Sequence, residues 1–76
     1  MPYWIIDLDE KGKPLMFGPY WSDSKAEVYR DKNCSRWARV TSKTKTRDRH
    51  MAKKELVDEI KELLRDRGAV LARGNR

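Results

Sequence analysis

The chain has 76 residues, which is enough for one small domain but not for a large core. Charged residues make up 39% of it, against roughly 25% in typical globular domains. The single cysteine excludes an internal disulfide or a cysteine-based zinc site, and no apolar stretch reaches the roughly 18 residues of a membrane span. A small domain without a disulfide or a structural zinc ion is typical of a reducing compartment, so we expect it in the cytoplasm. Because no stretch is long and apolar enough to span a bilayer, we expect no membrane partner.

The first half of the chain predicts a β-hairpin followed by a short helix. Tyr3–Leu8 alternates and is rich in aromatic and β-branched residues, which is typical of a strand. A polar turn containing Gly and Pro leads to a second strand at Leu15–Gly18. Ser24, with Glu27 three residues later, fits a capping box, and Ser22 is an equally good cap. We expect the helix to end near residue 31 or 32.

The second half predicts a third strand, a polar loop and a long helix. Arg36–Thr41 has the pattern of a strand, and Ser42–Arg47 contains no apolar residue, which is typical of a loop. Asp48 is a candidate N-cap for a helix whose apolar residues recur at helical spacing up to Gly68, a candidate C′ glycine. The short apolar segment Ala69–Ala72 either adds a strand at the sheet edge or docks under the helix.

Together these elements predict an α+β fold. The order is β-β-α-β-α, with a short C-terminal β-strand as an option, in a small, mainly antiparallel sheet with two helices on one face. Residues 1–72 would form the single domain, and residues 73–76 a flexible tail.

The positive charge of the chain is concentrated in its middle. The formal net charge is +6, yet residues 36–54 alone contain eight cations and one acid, Asp48. Such a run favours a polyanionic partner, most often nucleic acid, although charge that serves only solubility produces the same pattern. The cations are Arg36, Arg39, Lys43, Lys45, Arg47, Arg49, Lys53 and Lys54.

These cations are expected to reach phosphates from a strand, a loop and a helix start. Arg39 is expected to point outward from the third strand. The loop cations alternate with hydroxyl residues, and both types of side chain hydrogen-bond phosphate oxygens. The helix-start cations lie where free backbone N–H groups also attract anions. The predicted phosphate contacts are Lys43, Lys45, Arg47, Arg49, Lys53 and Lys54.

The aromatic residues offer surfaces on which the bases of single-stranded nucleic acid stack. Trp37, flanked by Arg36 and Arg39, is the best candidate for a base contact, and packing in the core is the alternative for it. Trp4 and Phe17 are expected in the core. The predicted nucleic-acid-binding site is therefore the whole run of eight cations together with Trp37.

A β-β-α unit with a basic rim resembles the small arm-binding domains of phage-type integrases. Such domains lay a three-stranded sheet in the major groove of DNA. The resemblance is one of element order over the first half of the chain, without a motif shared residue by residue.

Few residues have the chemistry of a catalytic centre. His50 is the one histidine and has no nucleophile near it in sequence, and Cys34 is expected to be a buried or half-buried connector residue. Asp7, Asp9 and Glu10 cluster at the first turn, where solvated turn residues are more common than Mg²⁺ ligands. We expect no enzyme activity, no metal and no cofactor.

Two functions follow from these observations. The first is a small non-enzymatic domain that binds DNA or RNA through residues 36–54. The alternative is a protein-interaction or homodimerisation module with no nucleic-acid role, in which Ala69–Ala72 pairs with a second copy.

Overall fold

Three strands and three helices make up the computed structural model, which describes residues 2–74. The elements are β1 (Tyr3–Leu8), β2 (Pro14–Tyr20), α1 (Asp23–Asn33), β3 (Arg39–Thr41), α2 (Arg49–Glu55) and α3 (Val57–Gly74). The strands form an antiparallel sheet of order β2-β1-β3. The predicted α+β class and antiparallel sheet are confirmed, and the element order is β-β-α-β-α-α.

β1 is the central strand, and it is buried on both faces of the sheet. Ile5 and Ile6 are neighbours in the chain and point to opposite faces, yet both are fully buried. The apolar side chains of β1 point in turn to the two faces of the sheet, so this one strand contributes to a small core on each face. Each core needs its own cover, and the helices provide one on each side.

The larger core lies between the sheet and the pair of helices α2 and α3. Trp4, Ile6 and Leu8 supply the strand side of it. The helical residues recur every three or four positions, so the two helices present one continuous apolar face to the sheet. These helical residues are Ala52, Leu56, Ile60 and Leu63, with Met16 and Trp37 packed against the cluster.

The smaller core lies under α1, on the opposite face. Ala26 is fully buried, and the ring of Tyr29 lies 5.6 Å from that of Phe17 and 5.7 Å from that of Tyr20. The prediction of two helices on one face is therefore wrong. Ile5 is as apolar as Ile6, so the face that carries it also has to be covered.

A β-bulge in β2 aligns the aromatic residues of the smaller core. Tyr20 pairs with Tyr3 and Phe17 pairs with Ile5, so two residues of β2 lie opposite the single residue between Tyr3 and Ile5. One of the two is Gly18, which has φ +125 and leaves only 3.0 Å between an added Cβ and the main-chain oxygen of Tyr3. Only glycine suits this position, and the bulge turns Phe17 and Tyr20 to the same face.

The N-caps of the first two helices were both among the predicted candidates. Ser22 caps α1 by accepting the main-chain N–H of Lys25 at 3.2 Å. Asp48 caps α2 by accepting the main-chain N–H of Met51 at 3.0 Å, as predicted. Of the two alternatives for α1, Ser22 is the cap, and Ser24 lies within the helix.

The C-terminal part of the chain differs from the prediction. The single long helix is two helices that meet at Leu56, and the second continues through Gly68. A glycine inside a helix costs only about 1 kcal/mol, so Gly68 alone does not end it. The optional strand at Ala69–Ala72 is wrong, because this segment belongs to α3. Residues 73–74 of the predicted tail also belong to α3, and residues 75–76 lie outside the described part.

Both faces of the sheet are therefore occupied by helices. In this respect the fold differs from the arm-binding domains that its element order resembles, because within residues 2–74 a helix covers each face of the sheet. Within residues 2–74, no helix combines the length and the apolar composition needed to cross a bilayer.

Candidate nucleic-acid interface

The structure divides the basic run between the two ends of the sheet. Thr41 pairs with Trp4 and Tyr20 pairs with Tyr3, so the loop after β3 leaves the sheet where β2 finishes. The segment before β3 lies at the other end, about 17 Å away along β1. We call the first region, Trp21 with residues 42–54, the α2 end. The second, residues 9–13 and 35–37 with Arg67, is the hairpin end.

Arg39 is bound by carboxylates of α3. Its guanidinium nitrogens lie 3.6 Å from Glu59, 3.4 Å from Glu62 and 3.1 Å from Asp66. Its register partner in β1 is Ile6, a member of the larger core, so Arg39 lies on the face that α3 covers. The expectation that Arg39 points outward is therefore not met, and its charge is balanced within the fold.

Lys43 is paired in the same way. Its ammonium group donates a hydrogen bond to Glu59, the carboxylate that also contacts Arg39. This hydrogen bond and the charge of Glu59 raise the pKa of Lys43 above its ordinary value. Two of the eight cations in the run are thus engaged by acidic side chains of α3.

The remaining cations at the α2 end are exposed and have no ion pair within residues 2–74. Two carboxylates accompany them, and both accept main-chain N–H groups: Asp48 as the helix cap, and Glu55 from Lys45 at 3.1 Å. Positions four apart share a helix face, so Arg49 lies next to Lys53. The free cations are Lys45, Arg47, Arg49, Lys53 and Lys54.

An exposed tryptophan lies among these cations. Trp21 is 74% exposed, and the guanidinium carbon of Arg47 lies 3.4 Å from the centroid of its ring. This is a cation–π contact. Sequence reasoning did not select Trp21. The available signal was its position between the end of β2 and the helix cap Ser22, which leaves its side chain outside both elements.

Two hydrogen bonds hold the loop and the start of α2 against the sheet. The indole N–H of Trp4 donates to the hydroxyl of Thr44 at 2.8 Å, and Thr44 is fully buried. Arg49 donates to the main-chain oxygen of Gly18 at 3.2 Å. The cations of the α2 end are therefore carried by a fastened segment and not by a free loop.

The predicted base contact, Trp37, lies at the hairpin end. Its ring is half-buried, packs against the larger core and has the guanidinium carbon of Arg36 4.4 Å from its centroid. It lines a cleft with charges of both signs, including Glu10, Lys11 and Arg67. The structure therefore separates Arg36 and Trp37 from the cations of the α2 end.

Two of the three acids of the first turn, Asp7 and Asp9, have structural roles. Asp7 is buried and accepts hydrogen bonds from the main-chain N–H groups of Leu8 and Ser35 and from the Ser35 hydroxyl. Asp9 accepts two main-chain N–H groups of its own turn. In the part of the chain that the structure describes, no three His, Cys, Asp or Glu side chains are grouped to hold a metal ion.

Cys34 and His50, which have the chemistry of a nucleophile and a base, lie on different elements. Cys34 is half-buried at the end of α1, and burial, together with the nearby charge of Asp7, raises the pKa of its thiol. A raised pKa lowers the fraction of the reactive thiolate. His50 is exposed on α2.

Comparisons with protein-family models, with curated proteins and with solved structures found no match to this chain.

Proposed function

We propose that this protein is a small nucleic-acid-binding domain whose phosphate contacts come from the α2 end. The observation that carries the proposal is the division of the basic run. Arg39 and Lys43 are paired with carboxylates of α3, whereas five cations at the α2 end have no such partner in the described part of the chain. Unpaired cations on one end of a domain create a positive potential that attracts a polyanion.

The paired and unpaired cations differ in what phosphate binding would require. A phosphate at Arg39 would have to displace three carboxylates, while a phosphate at Arg47 or Arg49 would displace none within residues 2–74. The guanidinium groups can also bind phosphate oxygens in a bidentate manner. The proposed interface is thus the loop and helix part of the predicted site, residues 45–54.

The proposal is one of binding without catalysis. A phosphate-binding surface needs cations and hydroxyl groups but no nucleophile or base, and His50 and Cys34 are not placed together on it. The single free cysteine fits the reducing cytoplasm, which is the compartment we propose for this function.

Fluorescence polarisation with labelled DNA and RNA oligomers across a salt series tests the proposal. We expect binding that weakens with salt, with a slope of log K against log salt of about −3 to −5 on duplex DNA, since about three to five phosphates would be contacted. The triple variant Arg47→Gln, Arg49→Gln and Lys53→Gln should make this slope less steep by about 3.

A matched control removes the same charge elsewhere. Lys11, Lys13 and Lys61 are exposed and lie outside the α2 end, so their replacement by Gln should leave the slope unchanged. Circular dichroism of each variant verifies that it is folded. A wild-type protein without salt-dependent binding at micromolar concentration, or a control that weakens binding equally, would contradict the proposal.

A second candidate function is homodimerisation, favoured by apolar side chains on the C-terminal half of α3. Leu64 and Leu71 are seven positions apart, so they share a helix face, and they are 38% and 47% exposed. The pairing surface would be a helix face and not the strand expected from Ala69–Ala72. Light scattering tests this candidate, because a mass equal to one chain at every concentration would rule out the dimer.

A further inference from the structure

Trp21 has no packing role that accounts for its size. It exposes 74% of its surface, more than any other large apolar side chain in residues 2–74. It is also absent from the cluster of residues that forms the larger core. A flat, exposed aromatic ring among cations is the arrangement with which proteins hold unpaired bases.

One face of the indole ring is covered and the other is open. The guanidinium group of Arg47 lies over the ring, with its carbon 3.4 Å from the centroid. A ring that was covered on both faces could not leave 74% of the residue exposed. The open face is therefore available to a flat ligand, and Arg47 holds the ring from behind.

Two cations of α2 lie close to the end of β2 from which the chain leads into this ring. Arg49 donates to the main-chain oxygen of Gly18, three residues before Trp21, so the start of α2 is tied to the end of β2 that leads into the tryptophan. Lys53 follows Arg49 on the same helix face. A strand whose base lies on Trp21 would thus have its backbone close to two cations.

We infer that the ligand of the α2 end is single-stranded nucleic acid, one base of which stacks on the open face of Trp21. This inference rests on the proposed function and narrows its substrate class. Bases in a duplex are stacked on each other and present only their edges, whereas bases of a single strand can turn out onto an aromatic ring. A surface of cations alone would not make this distinction.

Trp37 does not offer the same platform. Its ring packs against the larger core, and the cleft around it contains carboxylates as well as cations. A base that stacked there would bring its phosphates toward Asp9 and Glu10 as well as toward Lys11, Lys13 and Arg67. The two tryptophans therefore provide a test within one molecule.

The experiment compares three labelled probes of equal length at one salt concentration: a mixed-sequence single strand, the matching duplex, and an abasic single strand. Both DNA and RNA versions are used. We expect the wild-type protein to prefer the single strand. Trp21→Leu should weaken its binding by about 5- to 150-fold, the range found when a stacking residue is lost.

Two comparisons separate stacking from other causes. Trp21→Phe keeps an aromatic ring and should retain most of the affinity, while Trp21→Leu keeps only an apolar side chain. The abasic strand has all the phosphates and no bases, so wild type and Trp21→Leu should bind it equally. Trp37→Phe should bind every probe with the same affinity as the wild-type protein.

The possible failures are distinguishable. The stacking inference is wrong, and the proposed function stands, if two results are found together. The wild type binds single strand and duplex with equal affinity and the same salt slope, and Trp21→Leu changes neither of these affinities. If the wild type binds none of the probes in a salt-dependent manner, the proposed function is wrong and the inference falls with it.

Discussion

An arginine covers a tryptophan ring at each end of the sheet, and the two pairs differ in what lies around the ring. Arg47 lies over Trp21 at the α2 end, and Arg36 lies over Trp37 at the hairpin end. Trp37 is half-buried against the larger core, whereas Trp21 is 74% exposed. The same arginine–tryptophan contact thus involves a ring that packs against the core at the hairpin end and a ring with one exposed face at the α2 end.

The charges around the two pairs differ as well. The cleft at the hairpin end contains both acids and bases, including Glu10 and Lys11. At the α2 end, five cations have no ion pair within residues 2–74. The binding surface is therefore proposed at the Arg–Trp pair whose ring is open and whose neighbouring cations have no ion pair within residues 2–74.

The largest effect that separates the two pairs is expected in stability. Trp37→Ala should lower the free energy of unfolding by about 2 to 4 kcal/mol, because a ring packed against the core is lost. Trp21→Ala should change it by less than about 0.5 kcal/mol, since the ring is mostly in water. Urea denaturation measures both, and equal losses would contradict the distinction between the two tryptophans.

A smaller effect is expected at the hydrogen bond that fastens the α2 end. Thr44→Val keeps the shape of the side chain but leaves the buried indole N–H of Trp4 without its acceptor, which should cost about 1 to 3 kcal/mol. Thr44→Ser keeps the hydroxyl and serves as the control. If Val and Ser at this position were equally stable, the hydrogen bond would not hold the loop.

The smallest effect concerns the paired part of the basic run and appears at high pH. Because Glu59 raises the pKa of Lys43 in the folded protein, the stabilisation from this pair is complete below the ordinary pKa of Lys43. It is lost as the pH rises through the raised pKa. Lys43→Arg keeps the charge without titrating in this range, so its unfolding free energy should lack this step.

A nuclear magnetic resonance titration of the Lys43 side chain measures the pKa directly. In Glu59→Gln the pKa of Lys43 should fall toward its ordinary value, because the carboxylate that favours the charged form is gone. A pKa that did not change in this variant would show that Lys43 is not held by Glu59, and that it belongs with the free cations.

Local sequence signals predicted the elements that depend on local chemistry. The alternation of Tyr3–Leu8 predicted β1, and the side chain of Asp48 predicted the start of α2. They could not predict that Gly68 lies inside α3, because the cost of one helical glycine is small compared with what the rest of the helix contributes. They also could not show that the sheet face that carries Ile5 is covered by a separate helix, α1.

The candidate site was predictable as a segment but not as a surface. Net charge located residues 36–54, and the five free cations are within that range. Arg39 and Lys43 could not be separated from them in the sequence, because their partner Glu59 is 16 or more residues away. Trp21 lies outside the segment, and only the fold brings it under Arg47.

The sequence by itself determined the α+β class, most of the strand and helix starts, and the presence of one strongly basic segment. These properties depend on side-chain periodicity, capping and charge, which are carried by residues close to each other in the chain. The tertiary structure decided which cations are neutralised and which tryptophan is exposed. Both outcomes depend on contacts between distant segments: α3 supplies the carboxylates that pair with β3, and the loop before α2 carries Arg47 to the end of β2.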